Sequence, residues 1–220
     1  MTKPDLMAMA AQERAELLAL LRGLTEDQWN APSLCTRWRV RDVAAHVVSY
    51  DELSALATVG IFLRGGLRPG RVNDVALDRY RDLTPSDIVD LLARNQRPSG
   101  LPAGFGGGIA MTDGTIHHQD IRRALGMQRT IPQDRLTAVL DFSLAAPTLP
   151  SKRNRRRLRL VATDIGWSSG DGDEVTGPGE ALLMAVAGRP HALSELGGDG
   201  LPTLRKRINT RLTNLPGEYT

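Results

Sequence analysis

Apolar positions first recur at helical spacing, then switch toward alternation in the last third of the chain. Met7, Leu17, Leu18, Leu21 and Leu24 predict an opening helix that ends near Gly23. Thr25 has the chemistry of an N-cap. Glu26 and Asp27 follow in the first turn, where the helix dipole favours acidic groups, and this short helix carries Trp29 and stops before Pro32. Val40, Val43, Val47, Tyr50 and Leu53 recur at three- and four-residue steps and predict one long helix over residues 40–63, ended by Gly65 and Gly66. A further helix is expected over 72–83, and Thr84-Pro85-Ser86-Asp87 is a strong start for another that reaches about Asn95. Residues 97–108 contain Pro98, Gly100, Pro102, Gly104, Gly106, Gly107 and Gly108 and predict a mobile loop. Helices over 109–125, closed by Gly126, and over 132–146 complete the helical part.

The pattern then changes. Residues 158–163 are apolar-rich and partly alternating and predict a strand, 167–170 a second and 174–176 a third. Gly170-Asp171-Gly172-Asp173 reads as a hairpin turn between the second and third. A helix over 178–187, closed by Gly188, and one over 201–212 follow, and no internal repeat is visible. The expected class is α+β, with a helical bundle over residues 1–148 and a small α/β domain over residues 149–220.

Composition narrows the function class. With 41% hydrophobic and 24% charged residues, the 220-residue chain reads as a soluble globular protein. One cysteine, Cys35, excludes an intramolecular disulfide and fits a reducing compartment. The N-terminal stretch MTKPDLMAMAAQERAEL has no apolar run and reads as a helix start, not a signal peptide. The most apolar stretch, 43–63, is interrupted by His46, Asp51 and Glu52 and makes a poor membrane span, so a cytoplasmic location is expected. A net charge of +3 gives no argument for nucleic acid. The run Lys152, Arg153, Arg155, Arg156, Arg157 and Arg159 has no interleaved aromatics and reads as a solvated entry to a strand or as a contact for an anionic group. Gly104 to Gly108 lacks the Lys-Ser/Thr of a phosphate loop.

Candidate chemistry centres on histidines. Asp113 and His117 are four apart on one expected helix and project from the same face, so a carboxylate and an imidazole can reach one ion. His46 lies on the side of its helix marked by Val43, Val47 and Tyr50, and a His on one helix facing an Asp/His pair on another is how bundles build metal sites. Spacing alone also allows a surface ion pair for Asp113 and His117, and a hydrogen-bonded core role for His46. Two imidazoles and one carboxylate suit zinc with an open fourth position, and also suit iron. His118 sits about 100° further around the helix and cannot share that face. His191 falls in an expected exposed loop. Asp120 either orients His117 from behind or pairs with Arg122 or Arg123. Cys35 reads as a small buried hydrophobe, a nucleophile or a fourth ligand, and Trp29 and Trp38 as core anchors.

Three segments in register carry a family resemblance. Leu34-Cys-Thr-Arg-Trp-Arg-Val-Arg-Asp-Val-Ala-Ala-His46 resembles the C-x-x-W-x-V-x-D-V-x-A-H segment of the DinB-like, mycothiol-dependent maleylpyruvate isomerase family. Thr112-Asp-Gly-Thr-Ile-His-His-Gln-Asp-Ile-Arg-Arg-Ala-Leu-Gly126 resembles its second segment. Ala162-Thr-Asp with Trp167, then Gly177-Pro-Gly-Glu-Ala-Leu-Leu and Gly188-Arg-Pro, is similar to its small C-terminal domain. The resemblance implies a four-helix bundle and one divalent metal, usually zinc, carried over here to His46, Asp113 and His117. It implies an enzyme, a thiol transferase or isomerase, with mycothiol, the low-molecular-weight thiol of actinobacteria, as cosubstrate. A metal-bound thiolate would add to a small electrophile; with maleylpyruvate, addition, rotation and elimination give fumarylpyruvate. A non-catalytic metal-binding or regulatory protein on the same bundle is the alternative. Such bundles often dimerise, and neither nucleic acid nor a membrane is an expected partner. Asp113 stands where the isomerases use Glu, one methylene longer. Arg39 stands where the family often has a Ser or Thr N-cap, a loss of about 1 kcal/mol.

Overall fold

The computed structural model describes residues 4–66 and 69–214, so the first three residues of the N-terminal stretch lie outside the description. The chain divides into two units, one through Arg129 and one from Thr130.

The first unit holds helices α1 (Leu6–Arg22), α2 (Glu26–Asn30), α3 (Val40–Val48), α4 (Ala55–Gly65), α5 (Pro69–Leu77), α6 (Pro85–Arg94) and α7 (Gly108–Ala124). Asp5, Thr25, Ser54 and Thr84 each accept a first-turn backbone N–H at the starts of α1, α2, α4 and α6. Arg39 is a pure donor and cannot do this. Asp42 supplies the other half of the cap, its carboxylate accepting the Arg39 backbone N–H at 2.9 Å. Helices α1 and α3 both pack on α6 and α7, which makes a four-helix bundle. Its core joins Leu17, Leu18 and Leu21 to Val40, Val43, Val47, Ile88, Leu91, Leu92 and Ile121. Helix α5 packs on α3 and carries α4.

The single helix expected over 40–63 is broken. Helix α3 stops at Val48 and α4 starts at Ala55. Asp51 lies in the break, and its two oxygens take Nη1 and Nη2 of the Arg14 guanidinium end-on at 2.8 Å each. The same guanidinium donates to Val47 O at 3.0 Å and Asn95 O at 2.6 Å, and Ser99 N donates to Asp51 at 2.8 Å. A buried charge needs such partners, and the ion pair with Asp51 is made where the helix has stopped. The expected loop over 97–108 is also built: residues Leu101–Gly107 form 3-10 turns that pack on α1 and α7. Gly107 has φ +92°, and a Cβ there would lie 2.7 Å from Met7 Cα, so glycine is required on two grounds.

The second unit holds α8 (Gln133–Ala145), α9 (Ser151–Asn154), β1 (Leu158–Ala162), β2 (Ser168–Ser169), β3 (Asp173–Gly177), α10 (Gly179–Val186) and α11 (Leu201–Asn214). The sequence places α8 with the bundle, up to residue 148. In the structure it belongs here, with Leu136, Val139 and Leu140 buried and the helix packed on α10. The sheet order is β2-β1-β3, with β1 antiparallel to β2 and parallel to β3. The expected hairpin between the last two strands is therefore wrong. Gly170 and Gly172, both at positive φ, carry the chain close over the carbonyls of Leu158 and Arg157 to the far edge of β1. Trp167 Nε1 donates to Asp141 on α8 at 2.8 Å, and Asp164 accepts the Gly179 N–H at the start of α10, also at 2.8 Å. Arg159 pairs with Glu174 across β1 and β3 at 3.2 Å, so one member of the basic run has a local partner. His191 is exposed, as expected. Among the described residues no helix is long and apolar enough to cross a membrane.

Candidate metal centre

The centre forms where α3 faces α7 in the first unit. His46 is on α3, and Asp113 and His117 are one turn apart on α7. His46 Nε2 lies 3.7 Å and His117 Nε2 3.5 Å from Asp113 Oδ1, and one ligand atom from each residue falls within 4.8 Å of the others. A tetrahedral zinc with bonds of about 2.0–2.1 Å sets its ligand atoms about 3.3–3.5 Å apart, close to the two distances measured from Asp113 Oδ1. The shorter Asp113 reaches both imidazoles because α3 and α7 are in direct contact.

Packing fixes the two rings differently. The His46 ring lies 4.8 Å from the Trp38 ring and meets Tyr50 edge-on at 6.3 Å. Its Nδ1 is buried with no hydrogen-bond partner. The Tyr50 hydroxyl is committed elsewhere, donating to Asn73 Oδ1 at 3.0 Å, and burial, then the Asp113 charge, push its pKa up. His117 is held from behind, its Nδ1 3.0 Å from the fully buried carboxylate of Asp120. Cys35 completes that side, with Sγ 3.2 Å from Asp120 Oδ2 and 3.7 Å from His117 Nδ1.

The electrostatics favour a cation. Burial opposes the ionised form of Asp113, but the charges of His117 and His46 outweigh it and hold the carboxyl at about 2. Burial likewise opposes a charged His117, and the Asp113 carboxylate, then the contacts with Asp120 and Cys35, push it up to about 10. The side chains of His46 and His117 are 5% and 11% exposed and that of Asp113 is 39% exposed, so the cluster meets solvent on the Asp113 side.

His118 points to a different environment. Its Nδ1 lies 2.7 Å from Glu13 Oε1 on α1, and its Nε2 accepts from Arg122 at 2.8 Å. Burial lowers its pKa, so a neutral ring bridges these groups and takes no part in the centre. Trp38 and Tyr50, read from the sequence as packing residues, line the centre. Cys35 packs against the rear of His117, and its place three residues before Trp38 in the matching segment was the available signal.

Comparison with known proteins agrees with this architecture. Residues 10–97 match the mycothiol maleylpyruvate isomerase N-terminal domain. That match contains His46 and ends before Asp113. No curated protein sequence matches the chain. The crystal structure of the mycothiol-dependent maleylpyruvate isomerase superposes with a TM-score of 0.59 at 17% identity, covering 90% of this chain and 96% of that one. A histidine-to-alanine mutant of that isomerase superposes with a TM-score of 0.58 at 16% identity over the same shares. The chain thus has the α+β fold of those isomerases, and its residues 10–97 are similar to the mycothiol maleylpyruvate isomerase N-terminal domain.

Proposed function

We propose that the chain is a cytoplasmic, metal-dependent thiol enzyme, a transferase or isomerase, that uses mycothiol and acts on a small electrophile. The observation that carries this reading is the convergence of His46 Nε2, Asp113 Oδ1 and His117 Nε2 from two packed helices, at 3.5 and 3.7 Å about the carboxylate. These three residues would hold one divalent ion, with zinc favoured by a mixed imidazole and carboxylate set. When bound, such an ion lowers the pKa of a coordinated thiol and supplies a thiolate at neutral pH. Asp113 contributes the negative charge of the set and is its solvent-facing member, so thiol and electrophile reach the centre from that side. Trp38 and Tyr50 wall the inner side of His46, which keeps its ring from turning and excludes water behind it. Asp120 accepts the His117 Nδ1 proton and leaves Nε2 directed at Asp113.

The test uses zinc-loaded protein with mycothiol and a maleylpyruvate-like electrophile. Thiol-dependent consumption of the electrophile is expected, falling to background in His46→Ala. A zinc-loaded protein that binds no mycothiol would sink the enzyme reading and leave a non-catalytic, regulatory metal protein.

A further inference from the structure

Cys35 is the only cysteine in the chain, and it sits directly behind a candidate ligand without facing the centre's open side. It is held there by its own turn. Ser33 Oγ accepts the Cys35 backbone N–H at 3.0 Å and donates to Trp38 O at 2.8 Å, and Trp38 N donates to Cys35 O at 2.8 Å. The backbone of the turn is fastened to α7 where Leu34 N donates to Asp120 O at 3.2 Å. Asp120 is therefore met twice by this turn, at its carbonyl by Leu34 N and at Oδ2 by the Cys35 thiol at 3.2 Å. That same oxygen lies 3.0 Å from His117 Nδ1. One fully buried carboxylate oxygen thus takes both a thiol and an imidazole donor.

We infer that Cys35 is a positioning residue for the centre: its thiol holds the Asp120 carboxylate, which fixes the His117 ring so that Nε2 faces Asp113. This deepens the metal-site reading and rests on it. The two histidines are supported differently. His117 has a hydrogen-bonded support chain and His46 has none, its Nδ1 being unpartnered and its ring set by Trp38 and Tyr50. Without the thiol, Asp120 keeps one fewer donor, so the His117 ring is held less firmly while its chemistry is unchanged. Outer partners of metal-bound histidines characteristically change affinity by about 10–100-fold. A thiol acting one bond further out belongs at the lower end, about tenfold. The arrangement also offers a rival: Cys35, His117 Nδ1 and Asp120 are themselves close enough to hold an ion, and in that case the cysteine would be a ligand.

Cobalt(II) separates these outcomes, because thiolate ligation gives a strong near-ultraviolet charge-transfer band and imidazole or carboxylate ligation does not. The full chain is titrated with cobalt(II), and affinity and the visible d–d spectrum are recorded for the unaltered protein, Cys35→Ala, Cys35→Ser and Asp120→Asn. The expected result is no thiolate band, an affinity about tenfold weaker with a shifted d–d spectrum in Cys35→Ala, recovery of most of both in Cys35→Ser, which keeps a donor, and a larger loss in Asp120→Asn. Circular dichroism verifies folding; if Cys35→Ala does not fold, Cys35→Ser and Asp120→Asn carry the comparison. Unchanged affinity and spectrum in the Cys35 variants would overturn the positioning role and leave the metal site standing. A thiolate band in the unaltered protein would overturn it in favour of ligation. Failure of the unaltered chain to bind cobalt would remove the metal site and this role together.

Discussion

Replacing Asp51 with leucine is expected to destabilise the protein by about 3–5 kcal/mol, read as a lowered urea midpoint. The Arg14 and Asp51 side chains are 1% and 0% exposed, so neither charge has water to fall back on. The pair is end-on and bidentate through Nη1 and Nη2, and the same two nitrogens also donate to the carbonyls of Asn95 and Val47. Removing the carboxylate strands a buried cation and also orphans the Ser99 N–H. A double replacement, Arg14→Met with Asp51→Leu, is expected to recover part of the loss, because two apolar groups avoid the unpaired charge. Recovery stays incomplete, since the two carbonyls and the Ser99 N–H are then left without partners. A single variant within about 0.5 kcal/mol of the unaltered protein would show that the pair does not hold the break between α3 and α4.

Acid is expected to remove a comparable amount of stability through Glu13. This carboxylate is buried between His118 and Arg129, with Oε1 at 2.7 Å from the imidazole and 2.8 Å from the guanidinium. Burial favours its neutral form, but the His118 hydrogen bond and the Arg129 charge outweigh burial and bring the pKa from 4.5 to about 2. A carboxyl whose pKa is depressed in the folded state stabilises that state above its unfolded value, so the contribution is complete above about pH 4.5 and is lost as pH falls toward 2. The shift corresponds to about 3 kcal/mol. Other carboxylates titrate in the same window, Asp113 and Glu52 among them, so the informative quantity is the difference between unaltered protein and Glu13→Gln. Urea unfolding from pH 2 to 7 should show the variant less stable at neutrality and the gap closing as pH falls through that window. A gap that is flat with pH would mean that Glu13 is not held ionised by His118 and Arg129.

Much of the bundle can be read in the chain because its signals are local. The Thr25 and Thr84 caps and the apolar stripes of α1, α3, α6 and α7 each depend on residues within a few positions of one another. The break after Val48 could not be read, because the ion pair made there reaches Arg14, 37 residues before Asp51. The strand order failed for a similar reason: Gly170 and Gly172 have hairpin chemistry, and only their close approach to Arg157 and Leu158 reveals a crossing. The unit boundary depended on which partner buries the apolar face of α8, which periodicity does not specify. For the centre, Asp113 and His117 were legible as an i,i+4 pair. Joining His46 to them required a family resemblance, since the contact of α3 with α7 is tertiary. The support behind His117 mixed both kinds of information: Asp120 lies one turn away on α7, whereas Cys35 comes from a turn 85 residues earlier than Asp120.

The proposed function requires that His46, Asp113 and His117 hold one divalent ion. Elemental analysis of the purified protein, beside His46→Ala and His117→Ala prepared identically, tests it most directly. One equivalent of metal in the unaltered chain, lost from both variants while circular dichroism shows both folded, is the predicted result. Metal content that is the same in all three proteins would contradict it.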